Sequence, residues 1–121
     1  MMPEIKLALH APEREIRERC LISEVSNDAG DQALSVARAR VLAGEATAWH
    51  RLSGIDERYL IISGRGRAEV EGLTSGELGP GDVVRIPAGS RQRIVNLGLE
   101  DLIFYCLCTP RFREACYEHL E

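Results

Sequence analysis

An all-β fold, a sandwich or a small barrel, is predicted by three observations. Short runs rich in β-branched and aromatic residues recur along the chain. Nearly every gap between them carries Gly or Pro beside Asn, Asp or Ser, the chemistry of tight turns. Apolar residues make up 45% of the 121 positions but aromatic ones only 5%. Val, Ile, Leu and Ala must therefore fill a core of the size expected for one compact domain.

Taken in order, the expected strands are LISEVS (21–26), LSVARARVL (34–42), TAWHRL (47–52) and RYLIIS (58–63). RAEVEG (67–72), DVVRIP (82–87), QRIVN (92–96) and LIFYCLC (102–108) follow. LSVARARVL contains good helix formers, but its short length and its neighbours favour a strand. The turns are NDAGD (27–31), SGID (53–56), SGRG (63–66), LTSGELGPGD (73–82) and PAGS (87–90). The tail reads differently. Thr109 and Pro110 suit an N-cap and a first helical position, and RFREACYEHL then predicts a short closing helix. Phe112, Cys116 and Leu120, four apart, would form its apolar stripe. The resulting division is an N-terminal extension over 1–32, a barrel over 33–108 and a helix over 109–121. The extension is expected to add strands to the barrel edge or to a dimer contact.

Charge excludes some functions. The formal net charge is -4, the wrong sign for a phosphate-binding surface, so no nucleic-acid partner is expected. EREIRER (13–19) alternates acid and base, which cancels its field and predicts a solvated segment. No apolar run is long enough to span a membrane, and the N-terminus lacks a signal-peptide pattern. A cytoplasmic protein is the expectation. Cys20, Cys106, Cys108 and Cys116 are then expected as free thiols. Cys106 and Cys108 share one face of a strand and are badly placed to bond to each other.

Two spaced patterns carry the chemistry. Gly44, His50, Leu52, Glu57 and Gly64 form the first. Gly81, Pro87, Gly89, Gln92 and Asn96 form the second. Together they resemble the two motifs of the cupins, G-x5-H-x-H-x3,4-E-x6-G and G-x5-P-x-G-x2-H-x3-N, over roughly residues 33 to 108. The resemblance implies a small single-domain protein with the cupin-type double-stranded β-helix, or jelly-roll barrel. It also implies a divalent metal ion in the interior. Leu52 and Gln92 stand where the motifs place histidines, so the implied ligand set contracts to His50, Glu57 and Gln92. An imidazole nitrogen, a carboxylate oxygen and an amide oxygen suit Zn, Mn, Fe, Ni or Co, with open positions left for water or substrate.

Strand geometry adds detail. His50 and Leu52 have the same parity, so both face inward if either does. Glu57 opens the next strand, and an antiparallel hairpin through Gly54 would bring it beside His50. Gln92 has to arrive from a distant strand. Tyr59 shares the parity of Glu57 and is the candidate acid–base or orienting group. Arg58, Arg91 and Arg93 have the opposite parity and should face outward. Phe104, Cys106 and Cys108 either line the pocket or pack under the neighbouring sheet. His10 and His119 are expected in solvent. Asn96 is expected to bond backbone in the following turn.

Two functions remain open. One is a divalent-metal-binding cupin, an isomerase- or dioxygenase-like enzyme for a small polar or carboxylate-bearing molecule. The other is a metal-free module that binds a small ligand without catalysis, in which His50 and Glu57 are a hydrogen-bonded pair. The resemblance also implies a homodimer, with N-terminal strands crossing to the partner and covering an open sheet edge.

Overall fold

The computed structural model describes residues 2–121, and within them the regular secondary structure is nearly all strand. The strands are β1 (Arg14–Ile16), β2 (Cys20–Ser26), β3 (Ser35–Val41), β4 (His50–Leu52), β5 (Asp56–Ser63) and β6 (Gly66–Val70). They continue as β7 (Glu77–Leu78), β8 (Val83–Ile86), β9 (Gln92–Asn96), β10 (Leu102–Thr109) and β11 (Tyr117–His119). Two antiparallel sheets result, ordered β1-β2-β3-β10-β5-β8 and β11-β4-β9-β6-β7. This is the expected jelly roll. Among the described residues no helix is long and apolar enough to cross a membrane.

The alternation of side chains decides what lies between the sheets. Leu102, Phe104, Cys106 and Cys108 of β10 are buried, and the residues between them are half-exposed. Glu57, Tyr59 and Ile61 of β5 face the same interior, as do Gln92, Ile94 and Asn96 of β9. Tyr59 packs on Phe104 with ring centroids 4.5 Å apart. Ile61, Ile94 and Leu102 are almost wholly enclosed, each contributing about 1.5–3 kcal/mol by leaving water. Arg58, Arg91 and Arg93 face outward as expected, and the last two lay their guanidinium groups over the Trp49 ring, each 4.8 Å from its centroid.

Three expectations are corrected. The closing helix is absent: residues 114–116 make one 3-10 turn, and Tyr117–His119 is a strand paired with β4. The reason is the open edge of β4, whose backbone groups a helix would have left unpaired. Phe112, Cys116 and Tyr117 still bury their apolar atoms, against Leu52, Ile55 and Cys108. Residues 50–63 are no hairpin either. β4 pairs with β9 and β11, while β5 pairs with β10 and β8. The turn at Gly54 therefore carries the chain from one sheet to the other. Finally, residues 13–19 are only partly solvated. β1 pairs with β2 at the edge of the larger sheet, and the turn between them sends Glu18 inward.

Candidate functional site

The interior polar groups come from both sheets. His50 and Gln92 are direct cross-strand partners on β4 and β9. Glu57 and Tyr59 stand on β5, where Cys108 and Cys106 of β10 are their respective partners. The facing sheets bring these residues together, and His50, Glu57 and Gln92 are all buried. Hydrogen bonds then cross the interior. The Tyr59 hydroxyl donates to Gln92 Oε1 at 2.7 Å, and Gln92 Nε2 donates to Glu57 Oε1 at 3.0 Å. The Cys108 thiol approaches Glu57 Oε2 at 3.6 Å, a weak contact. Tyr59 thus reaches Glu57 only through Gln92, and it is not among the residues that line the cavity.

His50 is fixed differently. Its Nδ1 lies 2.7 Å from the Ala48 carbonyl oxygen. A carbonyl only accepts, so Nδ1 carries the proton and the neutral ring keeps its Nε2 lone pair free. Tyr117 stacks on the imidazole with centroids 5.4 Å apart, and the Tyr117 hydroxyl lies 2.8 Å from His119 Nδ1. His119 is accordingly half-buried rather than free in solvent, while His10 is exposed. Facing His50 Nε2, at 3.7 Å, is Glu18 Oε1.

Burial governs the proton equilibria. The Glu57 carboxyl is pushed up to about 7, first by loss of water and then by the nearby Glu18 charge; His50, the Gln92 amide and the Cys108 thiol oppose this. Burial likewise raises Glu18 to about 7, with Glu114 adding to the rise. His50 is lowered by burial, so its ring stays neutral. Burial holds Tyr59, Cys106 and Cys108 in their protonated forms. The cysteines are therefore inert thiols in the wall, not thiolate nucleophiles.

A cavity of about 270 Å³ opens against this cluster. Glu57, Cys106 and Cys108 line it with Glu18, Arg17 and Tyr117, whereas His50 and Gln92 lie behind the lining residues. A divalent ion needs several lone pairs converging on one point. Among the described residues no group of three or more His, Cys, Asp or Glu side chains converges in that way. In the observed arrangement Gln92 turns its oxygen to Tyr59 and its amide N–H to Glu57 in a hydrogen-bonded relay, while His50 bonds the Ala48 carbonyl. As arranged, His50, Glu57 and Gln92 do not offer three donors to one ion.

Sequence reasoning missed Glu18. It lies in the turn after β1, where the alternation of a strand no longer says which way a side chain faces. Asn96 behaves as expected, donating to the carbonyls of Val41 (2.9 Å) and Glu100 (2.8 Å) and accepting from the Gly98 amide (2.8 Å).

Solved structures with this architecture come from several sources. KdgF from Halomonas sp. superposes with a TM-score of 0.77 at 18% identity, covering 90% of this chain and 96% of its own. Streptomyces Pac13, a nucleoside dehydratase of which variants are seen with uridine, gives 0.82 at 14% identity, with 99% and 92% covered. A predicted oxalate decarboxylase from Thermotoga maritima gives 0.77 at 20% identity, with 88% and 99% covered. At such identities the likeness shows the fold alone. No curated protein matches the chain in sequence. The cupin domain family does, over residues 37–108, more than half of the length, and by that match and by its jelly roll the chain belongs to the cupins.

Proposed function

We propose that this cupin binds a small polar molecule in the interior cavity and performs acid–base chemistry on it through Glu57. The observation that carries the reading is the relay from Tyr59 through Gln92 to Glu57. It fixes one carboxyl at the cavity with a proton affinity near neutral. Such a group takes a proton from a carbon beside a carbonyl, or from a hydroxyl, and returns it in the next step. That is the proton balance of an isomerisation or an epimerisation, and it needs no further reactant. Gln92 holds the carboxyl in place, and Tyr59 holds Gln92. Similarity to Pac13, a nucleoside dehydratase, supports a small organic ligand. A homodimer built through the N-terminal segment belongs to the same proposal.

A second reading keeps a divalent ion on His50, Glu57 and Gln92. The His50 tautomer favours it, since a donated Nδ1–H and a free Nε2 are how metal-binding imidazoles are oriented. It requires the Gln92 amide to turn over. Elemental analysis of untagged protein, with and without metal supplementation, separates the two. The acid–base reading expects no stoichiometric metal, ligand binding that survives a chelator, and loss of turnover in Glu57→Gln. Stoichiometric metal together with chelator-sensitive binding would replace it with the second.

A further inference from the structure

The C-terminal segment supplies an aromatic wall that neither motif contains. The chain holds one Trp, three Tyr and two Phe, and two of these rings, Phe112 and Tyr117, line the cavity. Phe112 is anchored through its backbone: its amide donates to Ser35 Oγ and its carbonyl accepts from Asn27 Nδ2, both at 2.9 Å. Tyr117 is placed by strand pairing. It stands opposite Leu52 on the β11–β4 ladder, so His50, two residues before Leu52, is its diagonal neighbour on the same face.

Three contacts pin the Tyr117 ring. It packs on the imidazole of His50, with centroids 5.4 Å apart and planes 23° from parallel. Its hydroxyl is held 2.8 Å from His119 Nδ1. Its apolar atoms pack, with Phe112 and Cys116, against Leu52, Ile55 and Cys108. His50 is buried and does not line the cavity, whereas Tyr117 is half-buried and does. One face of the ring is therefore covered by His50, and the opposite face is the one that meets the cavity.

Charge gives the cavity no comparable preference. Arg14 and Arg17 line it together with Glu15, Glu24 and Glu114, so a ligand group of either sign finds an opposite one. A ring face discriminates by shape instead. A flat, unsaturated ring stacks on it over a broad area, and a puckered ring of similar composition touches it at fewer atoms. Tyrosine suits such a role because its broad ring has few torsions to freeze, and here they are already fixed. The volume agrees. An apolar cavity of about 150 Å³ is enough to hold benzene, so about 270 Å³ accommodates one ring with polar substituents.

We infer that the ligand of this cavity carries a planar unsaturated ring and that Tyr117 selects it by stacking. The inference rests on the ligand-binding reading above and narrows it. A conjugated ring bearing an N–H or a hydroxyl lies on Tyr117, with that group turned to Glu57, which lines the same cavity.

The test uses neutral probes matched in their polar groups and differing in planarity: uracil against dihydrouracil, and benzamide against cyclohexanecarboxamide. Dissociation constants for the full-length protein are read from the probes' own NMR signals, which serve every variant alike. In the wild type the planar member of each pair should bind about three- to tenfold more tightly. Its protons should also show nuclear Overhauser effects to the Tyr117 ring. Tyr117→Phe keeps the ring face and should keep the preference. Tyr117→Leu keeps an apolar wall without a ring and should bind both members alike. Circular dichroism shows whether each variant is folded, and the wild-type comparison stands even where Tyr117→Leu is not. Equal affinities within the pairs in the wild type, or an unchanged planar preference in folded Tyr117→Leu, would overturn the role of Tyr117 and leave the pocket standing. The ring would then serve only to cover His50. If no probe binds the wild type at millimolar concentration, the inference and the ligand-binding reading fall together.

Discussion

Two carboxyls enclosed in one small interior put a sign on the pH dependence of stability. The Glu57 carboxyl lies at about 7 in the folded chain against 4.5 ordinarily. Below 4.5 both folded and unfolded forms hold the proton, and its stabilisation is fully present. As pH rises from there, the unfolded chain ionises first, so stability falls until the folded group ionises as well, and then levels off. At about 1.4 kcal/mol per unit, Glu57 alone accounts for roughly 3 kcal/mol. Exposed carboxylates such as Glu118 and Glu121 are lowered by their arginine partners. They act in the opposite sense and at lower pH, and solvent weakens them. Urea unfolding should therefore give a higher midpoint at about pH 5 than at about pH 8, and Glu57→Gln should flatten the difference. A wild-type midpoint that rises over this range would show that the carboxyl is solvated. Tyr59→Phe tests the relay. It leaves the buried Gln92 oxygen without its donor and should cost about 1–3 kcal/mol in the same experiment. A neutral result would mean that Gln92 finds another partner.

Elements are placed by turns and by edges, and the two are not equally legible. Gly64 has φ 87°, and a Cβ there would lie 2.7 Å from the backbone oxygen of Asp101. Gly54 has φ 73° with open space around it. Alanine at 54 meets only the left-handed penalty, about 1–2 kcal/mol. Alanine at 64 meets that penalty and a collision with main chain that cannot swing away. Denaturant midpoints should therefore rank Gly64→Ala well below Gly54→Ala, and equal losses would contradict the close approach. Both glycines were visible in the sequence as turn signals. So were the seven strands of four residues or more, because period-two burial on two facing sheets leaves an alternating pattern. The resemblance to the cupin motifs singled out His50, Glu57 and Gln92, and all three are buried. What was not legible came from pairing at edges. A three-residue strand such as β1 or β11 is too short to show a period, and it forms because a neighbour's backbone needs a partner. Capping chemistry at Thr109 and Pro110 favoured a helix locally, but the exposed edge of β4 outweighed it. The same blindness hid Glu18, whose inward turn depends on contacts to Ala48 and Glu121 far along the chain.

At the scale of the whole molecule, the N-terminal segment is the part that the sheets do not use. Ile5 is 85% exposed, Leu9 76% and Leu7 47%, Leu9 standing in a 3-10 turn over Ala8–His10. They precede β1, which forms an open edge of the six-stranded sheet. An apolar arm next to an unpaired edge can be covered by a second copy, since each copy would offer the other the same arm and the same edge. The proposed homodimer uses this surface, and it brings the partner close to the β1–β2 turn that carries Glu18. Removing residues 1–10 deletes the arm and leaves every strand intact. Light scattering after size-exclusion chromatography should give twice the chain mass of 13.4 kDa for the full chain and the single mass for the truncated one. Both should share one circular-dichroism spectrum. A full chain that elutes as a monomer at micromolar concentration rules the dimer out. A truncated chain that stays dimeric moves the interface to the opposite edge, β8, where Val83 is exposed.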